Sequence, residues 1–201
     1  MRQQVVADVS HLPMHGMRSA SLTWWGTLGF MLLEGTGFAL VIAIYLYLYS
    51  LATAWPINAP LPDFGPGSWI AGILVASVVP NHFVSKWAEQ EDLRKVRIGL
   101  VVMTAFGIAP IVIRFLLEFQ ALKVNWDTNA YGSIVWLLLG LHTTHLVTDL
   151  GDTVVLAVLM FTRHANNSRR FGDVQDNVLY WNFVVATWLP IYACIYWVPR
   201  L

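Results

Sequence analysis

The chain has a single cysteine, Cys194, among 201 residues. One thiol forms no internal disulfide, and no second thiol stands beside it to hold zinc or an iron–sulfur centre. Charge is also scarce: 12% of residues are Asp, Glu, Lys or Arg, with twelve acids against twelve bases. With no net field to draw in a polyanion, nucleic acid is excluded as a partner. There is no internal repeat, no low-complexity tract and no soluble appendage large enough for a second domain. What the chain has instead is apolar bulk: 57% hydrophobic residues and a mean hydropathy of +0.57. Soluble domains carry roughly 45–50% apolar and about 25% charged residues, so a water-soluble globule is ruled out. Ten Trp, ten Phe and seven Tyr suit a protein that crosses two membrane interfaces, where amphipathic rings anchor.

Crossing a bilayer as a helix takes about 20 apolar residues. Five stretches meet that length: 24–49, 68–87, 96–119, 132–161 and 178–198. The expected fold is therefore an all-α, polytopic five-helix bundle over residues 24–201, preceded by an arm over 1–23. The first span reads as a permanent helix rather than a cleaved leader: it is too long, and no small-residue cleavage site follows it. Pro80, Asn81 and His82 interrupt the second span near its end, where proline is expected to kink or stop the helix. The 51–67 connection contains Pro56, Pro60, Pro62 and Pro66 and reads as a non-helical crossing.

The basic residues give an orientation. Arg2, Arg18, Lys86, Arg94, Lys95, Arg97, Arg163, Arg169 and Arg170 fall on one side; Lys123 and Arg200 fall on the other, and Arg114 lies inside the third span. The positive-inside rule then places the N-terminal arm in the cytoplasm and the C-terminus outside.

An ionised side chain at the bilayer centre costs at least about 2.5–3.5 kcal/mol on insertion scales, so each one needs a partner or a purpose. Glu34 lies about 15 Å into the first span at 1.5 Å per residue, near the midplane. His142 and His145 reach a similar depth from the opposite direction, so Glu34 can hydrogen-bond a histidine if the two spans touch. His142, His145, Asp149 and Asp152 follow i, i+3, i+7, i+10 spacing, a single polar stripe that must face protein. Three readings are open: a metal or heme site, a proton relay, or a hydrogen-bond cluster that fixes helix register. Two histidines three apart on one helix cannot supply both axial ligands of one heme. The other histidines, His11, His15, His82 and His164, fall near the interface or in the aqueous arm.

Arg114 and Glu118 are i, i+4 apart, a spacing that pairs side chains. They are expected either to neutralise each other and snorkel to the interface, or to leave Arg114 holding a phospholipid phosphate. Arg97, together with Trp24 and Trp25, is a further candidate for lipid contact at the interface.

Several motifs in order resemble subunit III of the heme–copper cytochrome c oxidases. Trp24-Trp25-Gly26 leads to the intramembrane Glu34 and Phe38. Tyr131-Gly132-Ser133 opens the fourth span, and Gly140-x-His142-x-x-His145 follows, with Gly151 and Arg163 further on. Tyr180-Trp181-Asn182-Phe183-Val184-Val185, Trp188 and Tyr196-Trp197 occupy the fifth. The resemblance runs from about Trp24 to Trp197. The family carries His and Asp where this chain has Asn182 and Val185, which marks a divergent member, and five spans match the shorter bacterial form lacking the first two of seven helices.

The resemblance implies a noncatalytic subunit of an aerobic terminal oxidase in the bacterial cytoplasmic membrane. It implies no heme, copper or other metal in this chain, with heme and copper in partner subunits. It implies packing on the catalytic subunit I, with subunit II in the same complex and cytochrome c or another donor feeding electrons through it. It also implies bound phospholipid, support of sustained proton uptake, and an apolar route for oxygen. Glu34 matches the family's carbodiimide-reactive glutamate. Alternatives are a subunit III-like accessory protein of a quinol oxidase or nitric oxide reductase, and a stand-alone membrane metalloenzyme using Glu34 and the His142/His145/Asp149/Asp152 stripe. A small proton-coupled transporter is also open, though the lack of a repeat argues against the common inverted-repeat designs.

Overall fold

The computed structural model describes residues 21–162 and 168–201. Arg2, His11, His15, Arg18, Arg163 and His164 lie outside the described residues. Five helices are long and apolar enough to cross a membrane: α1 (Leu22–Leu51), α2 (Phe64–Glu89), α3 (Leu93–Ala121), α4 (Ala130–Phe161) and α5 (Arg169–Arg200). No strand occurs among the described residues. This is a multi-pass helical membrane bundle, the arrangement in which every backbone polar group is satisfied within its own segment.

The helices are longer than their apolar stretches. The fifth gains most, because its first turns (Arg169–Asn177) are too polar to register as a span yet are amphipathic. Phe171, Val174 and Val178 point into the core at i, i+3, i+7. Helix α2 begins at Phe64, so the proline-rich crossing ends sooner than its composition suggests. Pro80 does not stop α2, which continues to Glu89. Tertiary bonds hold the helix on either side of the proline. Ser77 Oγ accepts from Trp181 Nε1 at 2.7 Å, and Asn81 Nδ2 donates to Val178 O and Asn182 Oδ1, both at 3.0 Å. Neighbouring helices re-satisfying a proline's surroundings is the usual way such residues survive in membrane spans.

Helices α4 and α5 each pack on three others, α4 on α1, α3 and α5, and α5 on α1, α2 and α4, while α2 also packs on α3. Asn129 caps α4, accepting from the Gly132 backbone N–H at 2.7 Å. Gly132 is required there: a Cβ would run into the backbone carbonyl of Asn125. Gly67 is tight for a different reason, since a Cβ would meet the Tyr196 ring.

Two helices carry π-helical turns, Arg114–Glu118 in α3 and Ala193–Trp197 in α5. Each follows a proline, Pro110 and Pro190. The basic residues Lys86, Arg94, Lys95, Arg97 and Arg170 gather at one end, where Arg97 reaches Met160 and Ser168 reaches Glu91. At the opposite end Lys123 pairs with Asp63, and Arg200 donates to Pro62 O at 2.6 Å.

Candidate functional site: two intramembrane polar clusters and a cleft

The stripe on α4 serves two clusters rather than one. At the α1 side, Glu34 Oε2 accepts from Tyr180 Oη at 2.7 Å, and Glu34 Oε1 lies 2.7 Å from His145 Nε2. The histidine contact is a close polar approach, and neither ring nitrogen of His145 has a hydrogen-bond partner among the described residues. Phe38 closes over the His145 ring edge-on, with centroids 4.8 Å apart. His145 is the histidine that meets Glu34; His142 goes elsewhere.

His142 belongs to the second cluster, built around a fully buried ion pair. Arg114 Nε donates to Glu118 Oε2 at 2.7 Å with both side chains 0% exposed. Arg114 Nη1 lies 2.9 Å from His142 Nδ1 and 3.3 Å from Thr143 Oγ1. Tyr196 Oη donates to Glu118 Oε1 at 2.8 Å, and the guanidinium carbon sits 4.5 Å over the Trp188 ring. Arginine only donates, so Nδ1 of His142 is the acceptor. The proton then sits on Nε2, which donates to Val184 O at 3.0 Å.

This arrangement corrects the sequence expectation for Arg114. The pairing with Glu118 is present, but the side chain neither snorkels nor offers a face to a lipid phosphate. The π-turn is the local reason: it places both residues inward, and Thr143, His142, Tyr196 and Trp188 enclose them. An interior ion pair is sustained by further bonds to its donors and acceptors; here His142, Thr143 and Tyr196 bond the pair and the Trp188 ring lies against the guanidinium, while Arg114 Nη2 has no hydrogen-bond partner among the described residues.

Asp149 and Asp152 converge on Asn177 of α5, whose Nδ2 is 3.4 Å from Asp149 Oδ1, 3.1 Å from Asp152 Oδ2 and 3.2 Å from Thr153 Oγ1. Asp149 is buried, and its Oδ2 has no hydrogen-bond partner among the described residues. Asp152 faces α5 through its bond with Asn177 and is at the same time exposed on the wall of a cleft. That cleft, about 540 Å³, lies between α1, α4 and α5 and is lined by Thr23, Asp149, Asp152, Asp173, Asp176 and Tyr180 among others. It leads from the basic end of the bundle to Tyr180, which holds Glu34. Trp24 is half-buried and Trp25 59% exposed at the start of α1, their rings edge-to-face at 5.1 Å.

The motif positions have physical roles. Ser133 Oγ donates to Trp126 O at 2.6 Å, and Tyr131 is buried against Trp55. Phe183 fills the space beside Gly35, and Gly140 has open space where a Cβ would go. Asn182 bonds Asn81, and Val185 joins the core. His82 is exposed on α2. Asn177, Thr143 and Tyr196 are cluster members that reading the sequence alone did not single out as such. Asn177 and Tyr180, three apart on one helix face, were the available signal.

No group of three His, Cys, Asp or Glu among the described residues is arranged to hold a metal ion. The polar groups instead bond to one another and to backbone carbonyls across helices, the pattern of an integral membrane protein whose buried polar groups join its spans. Residues 70–199 match the family model for cytochrome c oxidase subunit III. The chain belongs to the cytochrome c oxidase subunit III family. It is 23% identical over 177 residues to cytochrome c oxidase subunit 3 of Thermostichus vulcanus, covering 87% of each chain. It is 27% identical over 184 residues to the Synechocystis sp. protein of that name, covering 87% of this chain and 75% of the relative. With the Pisaster ochraceus protein it shares 32% over 151 residues, 73% of this chain and 56% of that one.

Proposed function

We propose that this chain is a noncatalytic integral subunit of an aerobic terminal oxidase, seated in a bacterial cytoplasmic membrane with its basic end in the cytoplasm. It packs on the catalytic subunit I, with subunit II in the same complex. Heme and copper reside in those partners, and electrons arrive from cytochrome c or another donor through the complex. The observation that carries this reading is the family match over residues 70–199. Membership in an oxidase subunit family implies a complex; the choice of subunit I as the main contact extends that implication.

The cleft supports a role in proton uptake. Its four carboxylates stand at the basic end and lead toward Glu34, so protons from that side have a path of exchangeable groups. Phospholipid held along the bundle and an apolar route for oxygen complete the reading. In this account the Arg114–Glu118 and Glu34–Tyr180 clusters fix helix register.

The test is turnover. Oxidase stripped of this chain should begin oxygen reduction at a normal rate, lose activity during continued turnover, and recover when the chain is restored. Indefinitely stable turnover without the chain would overturn the supporting role. The separated chain should show no Soret absorbance and no stoichiometric metal; heme or chelation-resistant metal retained by it would instead favour a stand-alone enzyme.

A further inference from the structure

The cleft between α1, α4 and α5 is short of donors. Asp149 and Asp176 line it, are 1% and 8% exposed, and each has an Oδ2 without a hydrogen-bond partner among the described residues. Thr27 and Thr148 direct their hydroxyl protons to carbonyls of their own helices, Thr23 O at 3.1 Å and Thr144 O at 3.0 Å, which leaves oxygen lone pairs for the cleft. The donors along its walls are engaged. Asn177 Nδ2 serves Asp149, Asp152 and Thr153, and Tyr180 Oη donates to Glu34. Arg170, the one cation among the described lining residues, pairs with Asp173 at 2.9 Å.

A buried carboxylate oxygen with no donor is costly, and more so within a membrane. Four carboxylates face one arginine, so the cleft is formally anionic although it opens at the basic end of the bundle. Their placement selects the kind of cation. Helices α4 and α5 run antiparallel, with His142 beside Val184 and Asp149 beside Asn177. Asp149 and Asp176 therefore share a level, and Asp152 and Asp173 stand one turn, about 5 Å, nearer the basic end. No three of these groups converge as a metal site requires. Two tiers of separated charge with apolar wall between them suit ammonium groups joined by short methylene spacers. The volume, about 540 Å³, is that of a small-molecule pocket.

We propose that this cleft binds a linear polyamine. One ammonium group lies at Asp149 and Asp176, a second at Asp152 and Asp173, and the methylenes run along Phe30, Val155 and Leu156. The site stands on the geometry of the cleft and requires neither the oxidase reading nor proton uptake.

The experiment is equilibrium dialysis of labelled spermidine against the intact complex in phosphatidylcholine nanodiscs, with millimolar magnesium chloride present to suppress diffuse attraction. One spermidine should be retained per chain. Asp149→Asn and Asp176→Asn should each weaken its binding by about tenfold, the loss expected for one charge-assisted hydrogen bond. Val155→Trp, at an exposed wall position where added bulk does not disturb the core, should exclude it. Asp63→Asn, at the opposite end, should leave binding unchanged. No saturable retention by the wild type would overturn the proposal, as would retention unaltered in Val155→Trp and both cleft variants, or equal weakening by Asp63→Asn. A photo-crosslinker at Val155 that captures another polypeptide would overturn it too, because protein would then fill the cleft. Specific retention in a complex without oxidase subunits would uphold the cleft site while contradicting the oxidase reading.

Discussion

Tyr196 and Glu118, 78 residues apart in sequence, meet through a 2.8 Å hydrogen bond from Oη to Oε1, each projecting from a π-helical turn. A π-turn inserts a residue into the helical register and re-aims the side chains that follow. Here the two turns bring a carboxylate, a phenol and, through Glu118, the Arg114 guanidinium into one buried node.

Breaking that node one-sidedly is expected to be severe. Glu118→Ala leaves Arg114 buried without its counterion, a loss of about 3–5 kcal/mol. Tyr196→Phe removes one donor from the carboxylate and should cost about 1–3 kcal/mol. The double variant Arg114→Met/Glu118→Leu should recover most of the loss. Unfolding of each variant in detergent, followed by loss of helical signal, measures the order, and a double variant as unstable as Glu118→Ala would refute it.

At the other cluster, Glu34→Gln keeps an acceptor for Tyr180 and should change stability by less than about 1 kcal/mol. Glu34→Ala strands the Tyr180 hydroxyl, takes away the close polar contact of His145, and should cost about 1–3 kcal/mol. Equal melting temperatures for the two variants would show that the Glu34 bonds do not hold α1 to α4 and α5.

Two glycines in the same helix separate packing from mere smallness. Gly132→Ala drives a methyl at a backbone carbonyl that cannot step aside, so it should destabilise by about 1–3 kcal/mol. Gly140→Ala meets open space and should be neutral or slightly stabilising through helix propensity. Thermal scans of the two variants decide it, and a tolerated Gly132→Ala would contradict the close approach at Asn125.

The start of α3 should depend on pH. The Lys95 ammonium, 2.7 Å from Asp92, and the Lys95 backbone N–H together hold this N-cap carboxyl below its ordinary 3.8. A depressed carboxyl stabilises the folded state above the unfolded value, and that contribution disappears as pH falls through the folded value. Amide exchange in the first turn of α3, corrected for intrinsic rates, should gain protection between pH 3 and pH 6, and Asp92→Ala should abolish the gain. A pH-independent wild type would contradict the cap.

The five crossings were legible because length and hydropathy dominate membrane folding, and Trp24 to Trp197 carried enough motif spacing to indicate the family. Depth matching brought Glu34 and His145 within reach. What the sequence could not convey was rotation about each helix axis. The α4 stripe looked continuous, yet His142 and His145 serve different neighbours, because α1 approaches one and α3 the other. Arg114 seemed an interfacial residue since i, i+4 spacing says nothing of a π-turn that turns it inward. The polar beginning of α5 was lost because a hydropathy window averages over an amphipathic face.

The central claim is that the chain works inside a terminal oxidase, and the most direct measurement is the identity of what it brings from the membrane. A tagged chain extracted in mild detergent should carry with it a polytopic, heme-bearing subunit I and a subunit II, in constant ratio and with oxygen-reducing activity. Recovery of the chain alone, or with a nitric oxide reductase core in place of those subunits, would contradict the account.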